Sequence, residues 1–534
     1  MHYNIIKESY FDRKSVFLVL LSIGIIGLLV RLYFEPQTPL TADATNYFVY
    51  AADTSLTGKL SENYYLTNNG WSMFLSVLFS STKLDDPLFL MELQRFSSMI
   101  ISAVTIIPVY FLCRRFFNPE YSLIGSSLFA FQPHIIINSS LGVTEPIFLF
   151  LGISSLVLFL NNNHKIIYAS FAIAGLFTLV RYEGLLFFVI LSIMFFVRYR
   201  SEKKHFVRYS LVLAIYVLVL LPVAYYNFET YDRAGFVSEL FDKGETSYQH
   251  FVEGKPDVGD PLYGDASSAN MQNFLTIGMK NTIWFFGLAS IPIFIFIVPV
   301  GVILIIKNRK NLKIDFQIVT IVLVSLTMLI PAFFSYAKGS EDVRYLFMIF
   351  PLLVLISLYG VSKLKIKNHH FMMVGIIAAI ILTSFLYLNF KKIDYDYDYE
   401  NEVFLITKFI VGKTNVINDN SADIRYKIPA AVVTYWPDLP TPTLVGGEFR
   451  PQFLQTISPI GYNSLIEFVD LSKDKGLTYL AVDGRDHQPE FLRDVFYHDE
   501  KYAYLTKVFD SKDHGINYHV KIFKIDYNKV KNYL

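Results

Sequence analysis

Charge is scarce in this sequence. Only 17% of its 534 residues are Asp, Glu, Lys or Arg, where soluble domains carry about a quarter. Hydrophobic residues make up 53%, and the mean hydropathy is +0.39. That balance excludes a single soluble globule and indicates a polytopic membrane protein with some water-facing mass. Neither sign of charge dominates, for the net charge is +1, and a nucleic-acid footprint would need a basic patch or stripe. Cys113 is the only cysteine, which excludes an intramolecular disulfide and a cysteine-rich metal centre. No small-residue cleavage site follows the first apolar run, 15–30, which Arg13 and Lys14 precede. That run is expected to be retained as a signal anchor. No internal repeat of roughly 20–50 residues is visible.

What is present is a series of apolar runs. A bilayer core takes about 20 apolar residues in helix, and about eleven segments approach that length. They are 15–31, 90–112, 121–138, 143–160, 166–181, 183–198, 208–226, 282–306, 316–336, 344–362 and 371–390. The segment "GWSMFLSVLFS" (70–80) is too short to cross and is expected to be interfacial or re-entrant. Lys and Arg in short loops set orientation. With the N-terminus cytoplasmic, "CRRFFNPEY", "RYRSEKKHFVR", "KNRKNLK" and "SKLKIKNHH" all lie inside. Were 166–198 one span, every later loop would change side. The sequence therefore predicts a polytopic α-helical membrane domain over 1–390 with external segments at 32–89 and 227–281. Residues 391–534 are different in kind. There the helix-like "SLIEFVDLSKDKG" (464–476) precedes the strand-like "LTYLAVD" (477–483), and "YHVKIFKIDY" (518–527) follows. This predicts a soluble, extracytoplasmic α/β domain.

Charged residues gather at the predicted outer lip. Asp43, Tyr47 and Tyr50 recur at helical spacing just beyond the first span. Asp43 serves equally as a first-turn residue stabilised by the helix dipole, with Thr41 as a cap. Glu145 in "GVTEPIFLF" opens a span, where Pro146 also suits a plain helix start. A glutamate at the lip of an apolar helix is nevertheless costly unless it meets a partner or a wet cavity. Arg181 and Glu183 lie in "LVRYEGLLF", Glu341, Asp342 and Arg344 in "KGSEDVRYLFMIFP", and Arg95 in "LMELQRFSSMI". Each arginine could simply snorkel. Together they set several guanidinium groups near one membrane face, and the planar fork of donors suits phosphate. External carboxylates beside such groups suit a reaction in which an arginine holds a lipid phosphate as leaving group. A carboxylate would take the proton from an incoming hydroxyl.

In their order these pieces resemble the GT-C class of polytopic glycosyltransferases. The resemblance is strongest to the branch of protein O-mannosyltransferases and lipid A aminoarabinose transferases. It is carried over about residues 10–390 by "TADATNYFVYA", "NNGWSMFLSVLF", "LQRFSSMIISAVTIIPVYFLCRRFF", "GVTEPIFLFLGISSLVLF", "GLFTLVRYEGLLF" and "EDVRYLFMIFPLLVLISLYG". The resemblance implies an inverting transfer of a sugar from a polyprenyl- or dolichyl-monophosphate donor to a hydroxyl acceptor on protein, lipid or glycan. It implies Asp43 as general base and Arg95 and Arg344 as ligands of the lipid phosphate. Tyr47, Glu145, Arg181 and Glu183 are secondary candidates for sugar or acceptor contacts. Mannosyltransferases often carry an Asp-Glu pair where Asp43 is followed by Ala44, so the base role rests on Asp43 alone and the sugar stays open.

Oligosaccharyltransferases of the same class use a pyrophosphate donor, a divalent ion and a Trp-Trp-Asp motif. Here only "TYWPDLP" (434–440) stands, with Trp436 and Asp438, and neither a catalytic metal nor a cofactor is expected. The expected location is a prokaryotic cell membrane, and 250–265 is a candidate lid. Two other readings stand beside this one. A lipid-linked glycan ligase or polymerase would share the fold. A transporter would show repeat symmetry and broken helices near the midplane, and the sequence suggests neither.

Overall fold

The structure is a computed structural model that describes most of residues 12–233, 271–391 and 455–531. Residues 1–11, 243–270, 392–400 and 419–443 lie outside the described residues, with shorter stretches elsewhere. The candidate lid, Thr41 and "TYWPDLP" fall among them. Two compact units divide the chain. One comprises Met1–Glu35, Leu66–Trp71 and Gln94–Asp394, the other Pro36–Tyr65, Ser72–Leu93 and Tyr395–Leu534.

The apolar runs are helical: α1 (Arg13–Tyr33), α2 (Ala42–Thr57), α3 (Gly70–Ser80), α4 (Pro87–Val104), α5 (Ile106–Cys113), α6 (Pro119–Ala130), α7 (Pro133–Ser139), α8 (Glu145–Phe159), α9 (His164–Val180), α10 (Gly184–Tyr199) and α11 (His205–Tyr231). There follow α12 (Met271–Ser290), α13 (Phe294–Lys307), α14 (Phe316–Ala337), α15 (Phe350–Ser362), which a 3₁₀ turn at Val343–Ile349 precedes, and α16 (His369–Lys391). Six stretches among the described residues are long and apolar enough to cross a membrane on their own: Arg13–Tyr33, Phe89–Cys113, His205–Tyr231, Phe316–Ala337, Val343–Ser362 and Phe371–Lys391. The protein is an integral membrane protein. Phe17, Leu18, Leu21, Ile25 and Leu29 of α1 lie exposed, as a lipid-facing surface requires.

Two expected spans are broken. The 121–138 run divides into α6 and α7 where Pro133 restarts the helix. The 282–306 run bends by 105° between α12 and α13, so the expectation of unbroken spans fails here. Pro292 lies in the break, and a proline cannot supply the helical N–H. Side chains serve the carbonyls beside it. Gln132 Nε2 donates to the Ala289 carbonyl at 2.6 Å, and His134 Nε2 lies 3.0 Å from that of Leu288. Beyond the bend, a Cβ on Gly301 would lie 2.3 Å from the Ile356 carbonyl. α13 and α15 therefore pack backbone to backbone, as small residues permit in membranes.

Buried arginines stitch helix ends together. Arg31 is fully buried. Its Nε and Nη2 donate to Ser102 Oγ at 3.2 and 2.9 Å, and its Nη1 to the Gly27 and Ala130 carbonyls at 2.8 and 3.1 Å. Ala130 ends α6, where a cation also complements the helix dipole. At the far end of α8, Arg115 donates to the Leu160 and Val157 carbonyls at 2.7 Å each, and Arg198 to that of Phe159 at 2.7 Å. These bonds satisfy last-turn carbonyls that have no partner within the helix.

The C-terminal domain is α/β. Its strands are β1 (Val416–Asn418), β2 (Leu444–Val445), β3 (Glu448–Phe449), β4 (Gln455–Ile457), β5 (Tyr479–Asp483), β6 (Leu505–Asp510) and β7 (Val520–Ile525). Five form one mixed sheet of order β4-β1-β5-β7-β6, with β1 parallel to β4 and β5, and β7 antiparallel to β5 and β6. Alternation along β5 and β7 sends Leu480, Val482 and Phe523 to one core and Ala481, Val520 and Ile522 to the other. Two helices, α17 (Leu465–Ser472) and α18 (Glu490–Tyr497), lie within the same domain. Ser464 caps α17 by accepting from Glu467 N, and Glu467 Oε2 accepts from Asn463 N. On α18, Asp494 accepts from Tyr502, Lys501 and His498. These donors, the Tyr502 hydroxyl foremost, hold its carboxyl down at about 2.

Two predictions follow from these contacts. Arg31→Leu takes the buried partner from the Ser102 hydroxyl and the Ala130 carbonyl. It is expected to cost ~1–3 kcal/mol, read as a lower Tm in detergent. Asp494 is depressed in the folded state. Its stabilisation is therefore present above about pH 4 and lost as pH falls toward 2. Tyr502→Phe should raise that carboxyl toward its ordinary value. Calorimetry should show a lower Tm for the C-terminal transition near neutral pH and a shallower loss in acid.

Candidate active site

Four of the charged residues singled out from sequence meet in the first unit. Glu145 opens α8, Arg181 closes α9, Glu183 precedes α10, and Arg344 lies in the 3₁₀ turn before α15. Arg181 is the hub. Its Nη1 donates to Glu145 Oε1 at 2.7 Å, its Nη2 to Glu183 Oε1 at 2.8 Å, and its Nε reaches both Glu183 oxygens at 3.2 and 3.3 Å. The guanidinium also lies over the Phe148 ring, 5.6 Å from its centroid. Glu145 and Glu183 are 2% and 6% exposed, so Glu145 is no solvated helix start.

Arg344 stands farther from Glu145 than Arg181 does. Its Nε lies 3.8 Å from Glu145 Oε1 and 3.2 Å from Oδ2 of the half-exposed Asp342. Asp342 caps the 3₁₀ turn by accepting from Arg344 N at 2.9 Å. The buried Tyr336 hydroxyl donates to the Asp342 carbonyl at 2.9 Å and fixes the turn. Glu145, Arg181, Arg344, Tyr345 and Met348 help line a narrow cleft. Its free volume is about 20 Å³, room for one water. Glu145 Oε2 is buried and has no hydrogen-bond partner among the described residues.

The backbone beneath this cluster is set by residues that charge and hydropathy do not reveal. Asn68 Oδ1 accepts from Tyr182 N at 3.1 Å. A Cβ on Gly70 would lie 2.7 Å from the Leu179 carbonyl carbon and 2.8 Å from Val180 N, so only glycine lets the chain approach the end of α9. Trp71 Nε1 and Gln94 Nε2 both donate to the Gly142 carbonyl, at 3.1 and 2.7 Å. Gly142 adopts a left-handed φ of 76° just before α8. The "NNGW" stretch thus fixes both the Arg181–Glu183 turn and the approach to Glu145.

The remaining candidates belong to α2 and α4. Asp43 stands in the first turn of α2, in the second unit, half-buried like Tyr47, while Tyr50 is buried. Arg95 is 4% exposed in α4, so it does not snorkel. Among the described residues no three His, Cys, Asp or Glu side chains are grouped to hold a metal, and Glu145 and Glu183 are committed to arginine.

Residues 89–226 match a family model described as dolichyl-phosphate-mannose-protein mannosyltransferase. No curated protein sequence matches the chain. Among solved structures, the archaeal oligosaccharyltransferase AglB from Archaeoglobus fulgidus, in complex with an inhibitory peptide and a dolichol-phosphate, is 11% identical with a TM-score of 0.54, over 89% of this chain and 70% of that one. ArnT from Cupriavidus metallidurans, bound to undecaprenyl phosphate, is 8% identical with a TM-score of 0.55, over 96% and 98%. The chain has the GT-C fold that these two share.

Gly70→Ala is expected to push the α9–α10 turn outward and cost ~1–3 kcal/mol. A drop in Tm in detergent, with Trp71→Phe milder because Gln94 still serves Gly142, would bear this out.

Proposed function

We propose that this GT-C-fold membrane protein is a glycosyltransferase that moves a sugar from a polyprenyl-monophosphate donor to an acceptor hydroxyl at the extracytoplasmic face, with inversion. One observation carries the reading. The stretch that matches the mannosyltransferase family model, 89–226, contains Arg95, Glu145, Arg181 and Glu183, and three of these build the buried ionic cluster. The two solved proteins above are each described with a polyprenyl phosphate bound, which supports a lipid-phosphate donor here.

In this reading Asp43 takes the proton from the acceptor hydroxyl as its oxygen attacks the anomeric carbon. The bond from that carbon to the phosphate oxygen breaks, and the electron pair leaves with the lipid phosphate. Arg344 and Arg95 meet the developing charge. Arg344 suits the task because it lines the cleft beside Glu145, with its Nε 3.8 Å from Glu145 Oε1, where a phosphate could meet the guanidinium. Arg181 suits another task. Its bonds of 2.7 and 2.8 Å to two buried carboxylates hold the end of α9 to the starts of α8 and α10. Glu145 and Tyr47 are left to contact the sugar or acceptor. Most of the rate comes from positioning, since the donor is already activated.

The test is turnover of a panel of polyprenyl-monophosphate sugars, with peptide and lipid acceptors, by purified protein in lipid. Asp43→Asn should lower kcat by about 10²–10⁴ with donor binding kept. Arg344→Ala should cost ~10²–10³ and weaken the donor, with Arg344→Lys recovering only part, because an ammonium cannot form the fork. Equal turnover by Asp43→Asn and wild type would end the base assignment. The bent α12–α13 pair is a feature that transporters also show, and solute uptake into vesicles without sugar transfer would put that reading first.

A further inference from the structure

The C-terminal domain carries a groove of about 780 Å³ at one end of its sheet. That is within the size of small-molecule sites. Its place in the topology is informative. Gly484, on its wall, directly follows β5, and Tyr462 and Asn463, also on its wall, follow β4. β4 and β5 both run parallel to β1, so the groove lies beyond the carboxyl ends of parallel strands. Ligands of open α/β sheets bind at such ends, where the strand order changes direction. Here the order reverses at β1, on either side of which the later strands β4 and β5 are added in parallel.

The lining gives the ligand class. Tyr462, Phe491, Tyr497 and Tyr502 bring aromatic rings, while Arg493 and Asp494 bring planar polar groups. Tyr497 is 61% exposed, yet it is not loose. Its hydroxyl donates to the Gly484 carbonyl at 3.2 Å, and its ring meets Phe496 edge to face at 5.0 Å. An aromatic ring is thus held with a face toward water. Asp494 Oδ1 accepts from His498 and Lys501, and Oδ2 from Tyr502. A carboxylate has about four lone-pair sites, so Oδ2 can accept once more. Arg493 and the neighbouring Lys501 offset Glu490 and Asp494, so neither sign of charge is in excess among the described residues here. A neutral polyhydroxyl ligand, with C–H faces for rings and hydroxyls for planar acceptors and donors, matches all of these features.

We propose that this groove is a saccharide-binding site, and the proposal does not depend on the donor chemistry above. The experiment is a titration of the full chain in lipid nanodiscs with mannotriose, maltotriose and chitotriose, followed by saturation-transfer NMR without turnover. At least one trisaccharide should bind with a Kd on the order of 0.1–1 mM. Tyr497→Ala should weaken it about tenfold, while Tyr497→Phe, which keeps the ring, should stay within about twofold. Asn463→Ala provides a second variant at a solvent-facing position should Tyr497→Ala fail to fold, and should also weaken binding severalfold. No saturation by any of the three at ~10 mM, equal binding by Tyr497→Ala and wild type, or capture of peptides in place of sugars would overturn the proposal. Because no transfer is read, any of these results leaves the transferase reading to its own test.

Discussion

A single guanidinium shared by two buried carboxylates is the constraint on which the membrane half depends. Arg181 bridges the buried Glu145 and Glu183, and each charge offsets the desolvation of the others. Removing one member of such a set costs ~3–5 kcal/mol, because the others are left buried and unpaired. The cluster ties the beginning of α8 to the turn between α9 and α10. It also divides labour between two arginines. Arg181 is spent on the protein. Arg344 lies at longer range from Glu145, 3.8 Å against 2.7 Å for Arg181.

α8 is anchored at both ends by charge of the sign its dipole calls for. An acid stands in its first turn, and Arg115 and Arg198 serve its last carbonyls. Around its start the "NNGW" segment acts as a backbone brace, through Asn68 to Tyr182, Gly70 against Leu179 and Trp71 to Gly142. The carboxylate that opens α8 is therefore set by hydrogen bonds from two other parts of the chain.

Much of this was legible in the sequence, and the exceptions have physical reasons. Hydropathy located the helices because lipid-facing helices must be apolar. The charged lip residues could be picked out singly, since each is expensive beside an apolar run. Their pairing could not, because Arg181 and Glu145 are separated by 36 residues and only packing closes that distance. The break at Pro133 and the bend at Pro292 were signalled by proline in apolar runs, but hydropathy averages over such points. The brace is harder to see still. Asn68 and Gly70 act through one carbonyl oxygen and the lack of a Cβ, neither of which alters composition or periodicity. In the C-terminal domain, alternation marked the strands, while their order depended on contacts among distant segments.

The helices α8, α9 and α10 have 15, 17 and 16 residues. At 1.5 Å per residue they are roughly 22–26 Å long, against a hydrocarbon core of ~30 Å. A membrane around this trio must thin, or let headgroups and water sink, to avoid leaving polar helix ends in oil. Arg181 and the carboxylates stand at one of those ends. The mismatch would lower lipid phosphates toward the depth of the guanidinium groups, so that headgroup and side chain share one layer.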